Sequence, residues 1–171
     1  MSKLDTLNEL FIQELHALHG VETQLMKGLP AMEEVANNEA LRFALNEHFH
    51  QTGTHVSRLE LIFGALGRTL KTKPNKVMKN LLAEGQKQTK SHAAPAVRDV
   101  SLIACAQRVE HYEIAGYGTA RTFAETLGYN EVAEMLQATL EEESGADERL
   151  TRIAQLLNVE AMVRADLEVR D

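Results

Sequence analysis

Between Ala96 and Gly128 the chain carries a helical stripe of Ile103, Ala106, Glu110, Ile114 and Tyr117, spaced by threes and fours, with a carboxylate at its centre. Burying an ionised carboxylate is costly, so an acid on such a stripe must be paired, protonated or bound to a cation. The interruption recurs along the chain. An early seam reads Leu4, Phe11, Leu15, Leu18, Glu22, Leu25, Leu29. A second reads Leu41, Leu45, His48, Gln51 or Thr52, His55, Leu59, Ile62, Leu66. A late one reads Leu136, Leu140, Glu143, Asp147, Leu150, Ala154, Leu157.

Few glycines and prolines (10 and 3), sparse β-branched residues and an apolar share of 44% over 171 residues make this an all-α chain with enough material for one core. The spacing predicts a first helix from Ser2 or Lys3 to about Gly28, bent or ended by Gly28-Leu29-Pro30, with a short continuation to Ala36. A second runs from Glu39 to about Gly67, a third spans Ala96 to Gly128, and a fourth runs from Glu131 to about Leu157. Residues 68–95 are rich in lysine, and Val77, Leu81 and Leu82 mark a short extra helix within them. A connection of this length can cross from one end of a helical bundle to the other. The expected organisation is a four-helix bundle over 1–157 with a long crossover, followed by a tail, 158–171, that forms a short helix or frays.

In such a bundle the polar steps converge. Glu110 and Glu143 lie 33 residues apart around one hairpin, and Glu22 and His55 lie 33 apart around another, which places each pair at similar depth. Displacing the second helix by 92 positions lays Asn38-Glu39 on Asn130-Glu131, Gln51 on Glu143, Gly53 on Gly145 and His55 on Asp147. Glycines at mid-helix weaken a helix, so Gly53 and Gly145 are expected to admit a close neighbour or a bound group. The constellation is Glu22, Gln51, His55, Glu110, Glu143 and Asp147, with Glu113 on the adjacent edge. His48, His50 and His111 are placed around it or on the surface.

Five carboxylates in one dry core repel one another, and two divalent cations would offset four of their charges. Carboxylate with imidazole suits iron or manganese. The single cysteine, Cys105, excludes an intrachain disulfide and a cysteine-rich iron site. A net charge of -7 argues against nucleic acid as a main partner and fits a protein that handles cations. The N-terminal residues lack the apolar core of a signal peptide, and no apolar run is long enough to span a membrane, so a soluble cytoplasmic protein is expected. Taken singly, each buried acid could instead fix helix register, as polar residues do in coiled coils.

Glu22-Thr23-Gln24-Leu25 with Leu29-Pro30, the run from Ala106 through Val109-Glu110-His111-Tyr112-Glu113-Ile114 to Thr119, Leu127-Gly128-Tyr129, and Thr139-Leu140-Glu141-Glu142-Glu143 resemble the YciF/YciE family of stress-associated bacterial proteins. The resemblance covers roughly residues 3 to 157. It implies a ferritin-like, rubrerythrin-type bundle, a homodimer, and a di-iron-type site with Glu22, Glu110, Glu113, Glu143 and Asp147 as ligands. Members commonly carry Glu at the position of Gln51 and Gln at that of His55, so here the nitrogen of His55 would stand in for a carboxylate. The activity expected is reaction of a reduced iron pair with peroxide or oxygen, fed by an external electron donor. Glu110 and Glu143 would bridge or chelate, Glu22 and Asp147 would be terminal, and Glu113 would move on and off the metal. A single metal, or a helical dimer whose polar layer holds no catalytic metal, is the alternative.

Overall fold

The computed structural model describes the backbone of residues 5–168 and the side chains of residues 5–163. These residues form helices and no strand: α1 (Leu7–Val35), α2 (Glu39–Ala65), α3 (Lys76–Thr89), α4 (Pro95–Thr126) and α5 (Asn130–Glu168). α1 begins at Leu7 because Thr6, in an extended conformation, caps it reciprocally with Glu9. That corrects the expected start near Ser2 or Lys3, positions outside the described residues. α1 also continues through Pro30 to Val35 instead of ending there. Pro30 stands on the exposed side while Leu29 and Met32 stay buried, so the lost backbone bond faces away from the core.

α2 stops at Ala65, and Gly67 supplies the positive φ of 60° for the turn after it. Gly128, at φ 77°, does the same between α4 and α5. α5 runs without a break to Glu168, so the backbone of 158–168 extends that helix where a separate or frayed tail was expected.

α1 packs on α2 and α4, and α5 packs on α2 and α4, so the four long helices close a ring; α3 lies against α1 and α4. Two apolar clusters fill the ring. One holds Phe11, Leu15, Ile62, Phe63, Ala120 and Leu136; the other holds Leu25, Leu29, Leu41, Leu45, Leu102 and Leu150. α1 and α5 therefore run from the first cluster to the second, α2 and α4 run the opposite way, and each ring neighbour is antiparallel. Leu66 and Leu70 pack at the first cluster and Met78 and Leu102 at the second, so residues 66–94 carry the chain from one end to the other. Gly53 and Gly145 do not mark close approaches. A Cβ on Gly53 would meet the end of Met26 at an ordinary 3.8 Å, and one on Gly145 would meet nothing within 4 Å.

The α1–α2 turn is fastened to α4 by a buried acid that the apolar pattern did not single out. Asp99, 1% exposed, accepts hydrogen bonds from the backbone N–H of Asn37 (3.0 Å) and Asn38 (2.8 Å) and from Asn37 Nδ2 (3.2 Å). Removing it leaves buried donors without a partner. Asp99→Ala is expected to cost about 3 kcal/mol, measurable as a lower denaturant midpoint at unchanged m-value. A change below measurement error would show that the turn needs no such anchor.

Candidate metal centre

Between the two apolar clusters lies a layer of polar side chains. Glu22 comes from α1, His48, Thr52 and His55 from α2, Glu110, Glu113 and Tyr117 from α4, and Thr139 and Glu143 from α5; all are buried. Helical spacing puts them on inner faces: His48 and His55 are two turns apart, and Glu110, Glu113 and Tyr117 step by three and four. Glu22, His55, Glu113 and Glu143 are 0% exposed.

The side chains form two groups whose candidate ligand atoms all lie within 4.8 Å of one another: His48, Glu110, Glu113 and Glu143, and Glu22, His55 and Glu143. Glu143 belongs to both. His48 Nε2 is 3.5 Å from Glu110 Oε1 and 3.8 Å from Glu143 Oε2. His55 Nδ1 is 3.0 Å from Glu143 Oε1 and 3.5 Å from Glu22 Oε1. Despite this proximity, Glu22 Oε2, Glu110 Oε2, both oxygens of Glu113, both of Glu143, both nitrogens of His48 and His55 Nδ1 form no aligned hydrogen bond. Buried polar atoms are nearly always satisfied, so a concentration of unsatisfied donor atoms converging on one place fits a cation. Among the described residues, no lysine or arginine pairs with Glu22, Glu110, Glu113 or Glu143. The mixed carboxylate oxygens and imidazole nitrogens are donors that could hold a divalent metal ion.

A surrounding shell holds these groups in place. His55 Nε2 lies 2.9 Å from Glu142 Oε2, and Arg58 Nη1 donates to the same oxygen at 2.7 Å. The Arg58 guanidinium outweighs partial burial and holds the Glu142 carboxyl below its ordinary range, so Glu142 accepts and His55 Nε2 carries the proton. The other nitrogen of His55 is thereby turned toward Glu22 and Glu143, the orientation that a carboxylate imposes on a metal-binding histidine. On the opposite side the Tyr117 hydroxyl donates to Glu22 Oε1.

Protonation follows from burial and proximity. Burial, with Glu143 nearby, pushes Glu110 and Glu113 well above the usual carboxylate range, and burial also raises Glu22. For His55 burial works downward, but its contacts with Glu143 and Glu22 outweigh it and raise the imidazole to about 10. Glu143 is lowered in turn, His55 overcoming burial, and burial lowers His48. Without metal, the layer is held together by shared protons.

The structure brings together Glu22, His55, Glu110, Glu113 and Glu143. It places Asp147 and Gln51 at the margin. Asp147 accepts a hydrogen bond from Gln107 Nε2 at 3.0 Å and faces His111 Nε2 at 3.3 Å, and its carboxylate is not in either group. Gln51 is half-buried beside His48 and Glu110 on the edge of a small cavity. His48, expected around the site or on its surface, is instead one of the converging donors. Its position seven residues before His55 was the signal. Glu142 and Arg58 were not singled out; a lone surface-like acid in a Glu-Glu-Glu run gives no pattern to read.

The fold and its layer define an all-helical protein with a buried histidine–carboxylate cluster that could hold metal. The chain belongs to the family described as domain of unknown function (DUF892), whose model matches residues 6–163. It is 38% identical over 153 residues to the protein YciF of Escherichia coli strain K12, covering 88% of this chain and 92% of YciF. The crystal structure of the E. coli stress protein YciF superposes with a TM-score of 0.88 at 35% identity, covering 90% of this chain and 98% of that one. YcfI of Rhodopseudomonas palustris gives 0.84 at 33% identity, covering 88% and 96%. A Xanthomonas campestris protein gives 0.75 at 17% identity over 94% and 99% of the two chains, a likeness of fold alone. The family resemblance read from Glu22, the Val109–Ile114 run and Thr139–Glu143 is thereby established.

Two outcomes are expected. Glu22, Glu110 and Glu113 hold protons in the folded protein above about 4.5, where the unfolded chain has lost them, and His55 holds its proton from about 6.5 up to about 10. Both differences erode stability as pH rises. The opposite contributions, from lowered Glu143 and His48, are complete by about 6.5. The metal-stripped protein should therefore lose roughly 5 °C in Tm between pH 7 and 9. Added divalent metal, which displaces those protons, should stabilise more at pH 9 than at pH 7. A stripped protein whose Tm is level or rising over that interval would contradict the shared-proton layer. Separately, Glu142→Ala should weaken metal affinity by about 10- to 100-fold, read by competition with a chelator; unchanged affinity would remove Glu142 from the support of His55.

Proposed function

We propose that this chain is a ferritin-like four-helix protein holding a pair of iron ions, with manganese as the alternative occupant, and that the reduced pair reacts with peroxide or oxygen. The observation that carries the reading is the pair of ligand groups sharing Glu143, in which most of the buried donor atoms form no aligned hydrogen bond. His48, Glu110 and Glu113 would hold one ion, Glu22 and His55 the other, and Glu143 would serve both. Glu113 has no aligned hydrogen bond at either oxygen and, unlike Glu143 with His48 and His55 beside it, has no imidazole within ion-pair distance, so its side chain is the freest to follow a change in metal charge. Two ferrous ions held there would supply one electron each.

The remaining chemistry belongs to the chain. Glu142 and Arg58 keep His55 oriented, Tyr117 holds one oxygen of Glu22, and the two apolar clusters exclude bulk water on either side. Nothing in the chain offers a second redox group among the described residues, so repeated turnover would draw electrons from outside. The reading also carries a homodimer, to be weighed by its mass in solution, and a role among stress proteins such as YciF, of which that description is given.

One observation favours a second reading, a helical dimer in which the layer only fixes register. Without metal, His55 already stands against Glu143 and Glu22, and the Tyr117 hydroxyl already donates to Glu22. The two readings separate cleanly. Protein loaded anaerobically with ferrous iron should retain close to two ions per chain, oxidise them on adding peroxide faster than free iron, and lose thermal stability when a chelator strips it. Retention of less than one ion, with no accelerated oxidation and a Tm indifferent to chelator, would leave the register reading in place.

A further inference from the structure

The layer is not sealed equally on all sides. Glu22, His55, Glu113 and Glu143 have no exposed surface, whereas His48 is 5% and Glu110 2% exposed. Those two side chains line a small cavity between α2, α4 and α5 together with Ala44 and Ala146, and Gln51 and Arg149 are its only lining residues that are not buried. Its volume is about 10 Å³, close to the minimum for a single water. A hydrated divalent cation is far wider. Arg149, on that less buried side, forms an ion pair through its Nη1 with the Glu47 carboxylate, both side chains about one-third exposed.

We propose that this passage is the entrance by which divalent cations reach the buried layer, and that the Glu47–Arg149 ion pair is its gate. The inference rests on the metal-binding reading above and adds the route to it. While the pair is closed, a guanidinium stands at the less buried side of the cavity that His48 and Glu110 line. That charge repels a cation. An ion pair this exposed contributes little to stability, so it opens readily. When it opens, Glu47 presents a carboxylate to the solvent on that side. The cavity lining then offers the half-buried Gln51 amide and the buried donors of His48 and Glu110. A neutral amide at position 51 is suited to passing an ion on, since a carboxylate there would hold it at the margin. Ala44 and Ala146 keep the passage open because neither has a side chain long enough to fill it.

Uptake of cobalt(II), followed by its visible absorption in a stopped-flow instrument, and its release to excess chelator test the proposal on the full chain. Arg149→Met should raise both rates about tenfold by increasing the open fraction, with Kd unchanged. Glu47→Gln, which frees the guanidinium but removes the carboxylate and leaves the repelling charge, should raise both rates by less than Arg149→Met does. Exchanging the two residues, Glu47→Arg with Arg149→Glu, should bring both rates back toward the original, and Ala146→Met should slow both. Thermal melts confirm that each variant is folded, and should one fail to fold, the remaining three decide the matter. Rates that do not move in any variant, although the unaltered protein binds cobalt, would overturn the gate and leave the metal site standing. Absence of cobalt binding by the unaltered protein would overturn both. A variant whose Kd changes while its uptake rate does not would make Arg149 or Glu47 part of the binding site and not its gate.

Discussion

A carboxylate in a dry interior without a matching charge is among the least favourable arrangements a fold can contain, and here four of them, from three helices, share one layer with two imidazoles. The rest of the molecule is arranged to tolerate this. Apolar clusters above and below supply the burial that holds the helices together, with Phe11, Leu15, Phe63 and Leu136 on one side and Leu25, Leu41, Leu102 and Leu150 on the other. Replacing a buried ionic cluster by well-packed apolar side chains is often neutral or stabilising. The layer therefore cannot be understood as something the fold needs in order to fold.

Charge is neutralised from the outside inward, and incompletely. At the periphery Arg58 meets Glu142, and Glu142 meets His55. One step further in, His55 stands between Glu22 and Glu143, and Tyr117 donates to Glu22. At the centre Glu113 has neither exposure nor an aligned hydrogen bond at either oxygen. A polar residue that serves only to specify register is best satisfied by a partner of its own kind across the interface, as a single amide is in a coiled coil. Glu113 has no such partner among the described residues. That residue, more than the number of acids, is what favours the metal-binding reading over a layer that merely sets alignment.

The inner acids could be read from the sequence because each interrupts an otherwise apolar seam, and such a seam has one plausible direction in a helix. Asp147 shows where that reasoning loses resolution. Four residues advance a helix by slightly more than one turn, so Asp147 is rotated from Glu143 toward α4, where Gln107 and His111 reach it. A seam drawn in threes and fours cannot resolve a rotation of that size. His48 and His55 were equally visible as a pair, but only packing against Glu110 reveals that His48 faces inward. Pro30 left open whether α1 is bent or ended there, because how well a helix tolerates a proline depends on which side its ring faces, and that is decided by neighbours far along the chain. Asp99 was hidden altogether, because its partners are backbone groups of a turn more than sixty residues away.

The faint repeat between α2 and α5 takes its meaning from their opposite directions. Displacement by 92 positions equates Gln51 with Glu143 and His55 with Asp147, as though the two helices offered the same pair in the same order. Antiparallel packing reverses one order against the other. His55, the later member on α2, meets Glu143, the earlier member on α5, at 3.0 Å in the middle of the layer. Gln51, the earlier member on α2, falls instead at the level of Ala146, Arg149 and Leu150, on the side of the second apolar cluster where Asp147 also lies. Of each matched pair, one member is a donor at the centre and the other lies at the rim, and His48, outside the repeat, is a second central donor from α2. A neutral side chain at position 51 is compatible with a complete inner set, because the central donor from that turn of α2 is His55 and the acid opposite it is Glu143.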